Sequence, residues 1–242
     1  CPHVTSRQSL IFKALYRATG NKGVGSRPGG GWYQDHSFYG QILKAYSEVR
    51  QKNTIGNIPE IELYTPEIET WPRVFTSRSG RSVVIEALAA LTMGMDTLSM
   101  FFIDCRPGRS ESLDFYERRF MVPLATAEPM LRAFRRYARD TAPSGLVSDK
   151  PFPNFTCFEQ DVPSAMQITS GIPIVMDPKT AVGSIDLESL SAWSASSSKL
   201  LADYARADAL SGGRLAVLPA EPLQGWLMPR VAPDGTLRLY VY

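Results

Sequence analysis

The sequence predicts an α/β fold built from parallel βαβ units, and three observations carry that expectation. Helical and strand-like segments alternate through the first 140 residues or so. Polar residues gather immediately after each strand-like segment, at Arg27–Asp35, Glu67–Trp71 and Asp104–Arg106. The outgoing rim of a parallel sheet is where α/β proteins carry their sites, whether the sheet closes into a barrel or stays open. The run Ile61-Glu-Leu-Tyr-Thr-Pro-Glu-Ile-Glu-Thr-Trp-Pro72 shows both properties together, as a strand that ends in a turn with its acids at the far end.

Taken in order, residues 7–19 place Leu10, Ile11, Ala14, Leu15 and Ala18 at helical spacing, and Gly20-Asn21 stops that helix. Lys22–Ser26 is short enough for a buried strand. It leads into a loop rich in glycine and aromatics, Arg27–Asp35. Phe38, Ile42, Leu43, Tyr46 and Val49 mark the next amphipathic helix. The Ile61 strand follows, then a helix over about 81–93 stopped by Gly94, then an apolar strand over 97–103. A long helical region over 112–139 is expected to break at Pro123 and Pro129. Ala142–Gly145 and Lys150–Asn154 read as a linker. Residues 165–176 read as a helical turn and a short strand, 189–198 as a serine-rich loop, and 199–210 as a helix. Strands are expected over 215–218, 226–231 and 236–242, the last two joined by Ala232-Pro-Asp-Gly235. The expected division is 1–141, then a small α/β domain over 142–214, then C-terminal β-strands over 215–242.

Composition excludes several classes. With 242 residues, 44% hydrophobic, 21% charged and a net charge of +2, the chain is an ordinary globular composition. Nothing in that balance argues for nucleic acid or an anionic membrane as partner, and no apolar run reaches the length of a membrane span. Three widely spaced cysteines, Cys1, Cys105 and Cys157, form neither a disulfide framework nor a metal pattern. The only histidines are His3 and His36, so a histidine-rich metal site is excluded. The chain opens without methionine and closes in a strand-like stretch, so it reads as a processed or partial piece of a longer polypeptide.

The candidate site follows from strand parity. Ile61, Leu63, Thr65, Glu67 and Glu69 alternate along one strand, so Glu67 and Glu69 should share a face. Two like charges that close are costly unless something uses or neutralises them. Their bland alternative is a solvated strand end paired with Arg73 or Arg78. Arg27 is placed to aim a guanidinium at a carboxylate such as Glu67. Trp32, Tyr33 and Trp71 suit the apolar face of a sugar ring or, equally, a core. Asp104 can hydrogen-bond sugar hydroxyls or pair with Arg106 or Arg109. Gly23-Val-Gly25 lacks the third glycine of a dinucleotide loop, since Pro28 stands there. Cys105 has no histidine neighbour in sequence to make it a nucleophile. Glu86 and Glu111 read as structural residues of helical stretches, and Glu117, Arg118 and Arg119 as a solvated helix face.

The segments Gly25-Ser-Arg-Pro-Gly-Gly-Gly-Trp-Tyr33, Pro66-Glu-Ile-Glu-Thr-Trp-Pro72 and Ala87-Leu-Ala-Ala-Leu-Thr-Met-Gly-Met-Asp96 together resemble the second half of a TIM-barrel glycoside hydrolase. The likeness is to the β-galactosidase-like group around family 42, with the family 164 β-mannosidases among its relatives. It implies that residues 7–140 are strands six to eight of a (β/α)8 barrel, followed by a small α/β domain that begins near Thr169–Ile174. It implies a retaining hydrolase of β-linked hexosides, with a strand-seven glutamate as nucleophile on Glu67 or Glu69. Glu67 is preferred because Glu69 lies nearer the Pro72 turn. The Glu69-Thr-Trp-Pro72 spacing is similar to the family's Glu-Gln-x-Pro, so the choice stays open. Arg27, Trp32, Tyr33, Trp71 and Asp104 would then shape the sugar subsite. The family's acid/base glutamate belongs to strand four, which the given sequence does not contain. Met95 departs from the family's usual alanine. The resemblance also implies a carbohydrate substrate and a homo-oligomer such as a trimer. The competing expectation is a non-catalytic carbohydrate-binding or assembly protein that kept the scaffold and lost the acid.

Overall fold

The computed structural model describes residues 6–27, 38–55, 60–69, 78–102, 112–148, 168–213 and 226–241. Trp32, Tyr33, Trp71 and Asp104 lie outside the described residues, as do Cys105, Glu111 and the expected strand over 215–218. The chain forms two compact units, one up to Tyr137 and the other from Ala138 onward.

In the first unit the elements are α1 (Ser6–Ala18), β1 (Val24–Ser26), α2 (Phe38–Ile55), β2 (Ile61–Tyr64), β3 (Glu67–Glu69), α3 (Gly80–Thr92), β4 (Ser99–Phe101), α4 (Leu113–Tyr116), a π-helical turn (Glu117–Met121) and α5 (Val122–Arg139). The α/β alternation expected from the sequence is therefore present. The strands pair in parallel, β1 with β2 and β3 with β4. β2 and β3 are two halves of one run, separated by Thr65 and Pro66. Proline has no N–H for a ladder, and the run's neighbour changes across this point. The Thr65 N–H donates to Ser26 O at 3.1 Å, while the Ser99 N–H donates to Pro66 O at 3.1 Å. Here the odd residue Thr65 turns its N–H toward β1 and the even residue Pro66 its carbonyl toward β4. Among the described residues these sheets are small and open.

Glycine stops act where expected. Gly20 and Asn21 have φ of 72° and 61°, and Gly94 has φ of 94°, the left-handed region that ends a helix. β1 is not fully buried, since Gly25 is exposed beside a buried Ser26. The core gathers Ile68 of β3, Val83 and Ala87 of α3, Phe102 and Phe120. The last two rings stack at 4.5 Å. The prolines do not break the long helix. The π turn precedes Pro123, and the Arg119 carbonyl, which a proline four residues on leaves without its helical partner, lies against Gly80. Pro129 stands inside α5 on an exposed face, where a freed carbonyl can reach water. Arg119 is not a purely solvated side chain either: its Nε–H donates to Arg78 O at 2.8 Å.

The second unit contains β5 (Ala142–Pro143), β6 (Gly145–Ser148), a 3-10 turn (Pro178–Thr180), β7 (Ala181–Ile185), α6 (Leu190–Ala195), α7 (Ser197–Ser211), β8 (Leu227–Val231) and β9 (Leu237–Val241). β6 and β7 are parallel, with Ile174 bridged to Leu146 on the other side, and α7 packs on this ladder. β5, β8 and β9 form an antiparallel sheet. Two expectations are corrected here. Ala142–Gly145 is not a linker but the start of two strands: Ser144 N–H donates to Pro229 O at 2.8 Å and Leu146 N–H to Pro173 O at 2.9 Å. The serine-rich 189–198 stretch is helical, because Ser189 caps α6 by accepting from the Ala192 N–H at 3.2 Å. The Ala232–Gly235 turn is as expected, closed by the Gly235 N–H to Ala232 O at 2.9 Å, with φ of 83° at Gly235.

Candidate functional site

Arg27, just past the end of β1, and Glu67, the first residue of β3, form an ion pair between the guanidinium Nη1 and carboxylate Oε1. Arg27 is about half exposed, its side chain at 54%, whereas the Glu67 side chain keeps 14%. An ion pair this open to water contributes on the order of 0–1 kcal/mol to stability. Its importance is therefore geometric: it fixes where the carboxylate points. Glu69 is buried, with 9% exposure. Between them Ile68 has none and enters the core, so the two acids stand on the other face, as strand parity requires.

Beside β3 lies a buried ionic cluster. Lys44 and Glu48 of α2, Glu86 of α3 and Arg78 just before α3 have side chains that are essentially inaccessible. Lys44 Nζ donates to the Glu67 carbonyl and, at 2.5 Å, to Glu86 Oε1. The other oxygen of Glu86 is ion-paired with Arg78. The Arg78 guanidinium also donates to Glu69 O at 3.4 Å and to Ser82 Oγ at 2.9 Å. Gln41 Nε2 reaches the same Ser82 hydroxyl at 2.5 Å. The two cations and the Glu86 carboxylate are stable out of water only because each cation faces Glu86 and a carbonyl of β3.

Glu48 is the exception in this cluster. Neither of its oxygens has a hydrogen-bond partner among the described residues, and Lys44 Nζ stands 3.9 Å away. Burial pushes its carboxyl well above the usual range. Lys44 opposes this, the Glu86 charge adds to it, the Glu67 N–H opposes it and the Glu67 charge adds to it. The Glu67 amide acts here at a distance, short of hydrogen-bond geometry. Burial thus favours the protonated form of Glu48.

Of the residues picked from the sequence, Arg27 and Glu67 are brought together, and Glu69 stands on the same face of β3 as Glu67. Arg78, the bland partner for the acids, holds the Glu69 backbone and the Glu86 carboxylate. Lys44 and Glu48 are not among the residues picked from the sequence, while Glu86 stands as a buried structural residue of α3, in keeping with its helical stretch. The available signals were a Lys–Glu pair four apart on a helix and one acid inside the apolar run Val83-Val-Ile-Glu-Ala-Leu88. Among the described residues no group of three or more His, Cys, Asp or Glu could hold a metal ion, and no helix is long and apolar enough to cross a membrane. Comparison with protein-family models, with curated proteins and with solved structures finds no match.

Proposed function

We propose that this chain belongs to a retaining β-glycosidase acting on β-galactosides or β-mannosides, with the first unit a segment of a (β/α)8 barrel. Glu67 or Glu69 attacks the anomeric carbon, and a general acid from another barrel strand protonates the leaving oxygen and then activates water. A retaining pair needs carboxyls about 5–5.5 Å apart. Two acids adjacent on one strand do not make that opposed pair, so the second acid of β3 orients the sugar. The observation that supports this reading most is the Arg27–Glu67 pair, set just past the outgoing ends of the parallel pair β1 and β2, where β3 begins. Arg27 aims the carboxylate, and Trp32, Tyr33, Trp71 and Asp104, which follow the same strands in the sequence, shape the sugar subsite in this reading. No cofactor enters this chemistry. A homo-oligomer, such as a trimer, goes with the family likeness.

The test is to change Glu67→Gln and Glu69→Gln singly and measure hydrolysis of aryl β-galactosides and β-mannosides. The nucleophile variant should lose at least about a hundredfold in kcat, in keeping with loss of an activated nucleophile. Full activity in both variants sinks the assignment. The second reading, a non-catalytic carbohydrate-binding or assembly protein, is favoured by one observation: Arg27 occupies a Glu67 oxygen that an attacking carboxylate would need. Unchanged sugar binding with no turnover in the wild-type protein would decide for it.

A further inference from the structure

β1 ends at Ser26, and its last backbone contact with the central run is to the Thr65 N–H. Beyond that point the odd-numbered backbone groups of β3 face an edge along which no strand is described. Two buried side chains stand there instead. Lys44 Nζ donates to Glu67 O and an Arg78 guanidinium nitrogen to Glu69 O, two successive carbonyls of that edge. Glu86 joins the two cations, one through each oxygen. The spacing of Lys44 on α2 and Glu86 on α3 is set by the packing of those helices on each other.

We infer that Lys44, Glu86 and Arg78 are positioning residues: Lys44 and Arg78, tied together by Glu86, hold the Glu67 and Glu69 carbonyls on the edge of β3 away from β4 and so fix the carboxylates of Glu67 and Glu69 that the site uses. This rests on the proposed role of those acids. The cations hold the backbone beneath the acids and leave the Glu67 carboxylate itself to Arg27. A cluster serving bulk stability alone would be replaceable by apolar side chains of similar volume, since swapping buried ion clusters for packed hydrophobes is often neutral or stabilising. A positioning cluster is not replaceable in that way, because a hydrophobe cannot donate to a carbonyl.

That contrast supplies the experiment. Glu86→Gln and the triple change Lys44→Met, Arg78→Met, Glu86→Leu are made in the whole chain, and amide hydrogen exchange is read residue by residue. In the triple variant the fold should persist, while exchange at Glu67, Ile68 and Glu69 accelerates at least about tenfold relative to Gly25 and Ser26 in the β1–β2 ladder. Glu86→Gln should show the same local effect if it folds, and the triple variant decides if it does not. Exchange unchanged at β3, or raised equally in both ladders, overturns the inference. For aryl glycosides kcat should fall about tenfold with KM unchanged, the pattern of a lost transition-state alignment. A wild-type protein inert toward glycosides defeats the hydrolase reading alone, because the exchange comparison needs no turnover.

Discussion

Changing Glu48→Gln should stabilise the first unit at neutral pH, opposite to the usual effect of removing a buried charged residue. The side chain of Glu48 is fully buried. Among the described residues around it stand the cation Lys44, already engaged by Glu86 at 2.5 Å, and two other carboxylates, Glu86 and Glu67. Burial therefore wins, and the folded-state carboxyl holds its proton well above the usual range. In the unfolded chain the same group ionises near pH 4.3. Between these two points the native state binds one more proton than the unfolded state. Stability then falls as pH rises, by about 1.4 kcal/mol per pH unit. Glutamine keeps the shape and has nothing to titrate, so it removes this slope. Urea unfolding followed by circular dichroism from pH 4 to 8 should give coincident stabilities for the two proteins at the acid end. The variant should pull ahead progressively toward neutrality. Carboxyl carbon NMR of the wild-type protein should place Glu48 in its protonated form at pH 6. Were Glu48 instead ionised and held by Lys44, the variant would be weaker across neutral pH and the carbon shift would report carboxylate. Either result would refute the reasoning.

Two further substitutions probe the frame. Gly80→Ala places a Cβ against the Arg119 carbonyl and 2.5 Å from Pro123 Cγ; a backbone oxygen and a proline ring cannot swing aside. A loss of about 1–3 kcal/mol is expected in denaturant unfolding, and an unchanged midpoint would contradict this packing. In the second unit Asp203 is fully buried, and its Oδ2 accepts from the Glu188 N–H and the Trp193 Nε1–H, both at 2.8 Å, while Oδ1 pairs with Arg206. Asp203→Asn keeps one acceptor oxygen and turns donors toward a guanidinium. It should cost about 1–3 kcal/mol and shift the Trp193 fluorescence; a silent emission spectrum would count against it.

The helices and their stops were legible in the chain because their causes are local. Apolar residues at a period of 3.6 mark one face, and Gly20, Asn21, Gly94 and Gly235 adopt the positive φ at which helices and hairpins turn. The same local logic put Glu67 and Glu69 on one side of a strand and Arg27 at the end of its neighbour. Where the reading went astray, a distant group had changed the meaning of a local signal. Ala142–Gly145 looks like a linker until Pro229 and Pro173 offer carbonyls to Ser144 and Leu146. Pro123 looks like a helix breaker until a π turn forms ahead of it. Serines over 189–198 look like loop residues until one of them caps a helix.

The charged interior of the first unit belongs to that second kind, whereas its apolar positions Ile42, Leu43, Tyr46 and Val49 follow the helical period. Sequence by itself determined the alternation of helix and strand and the collection of polar side chains beyond the strand ends. Only the tertiary structure decided that Lys44, Glu48, Arg78 and Glu86 go inside, and which backbone oxygens the two cations hold. Charge is a local property of a residue, whereas the cost of burying it depends on partners supplied by α2, α3 and β3 at once, and no window of sequence spans all three.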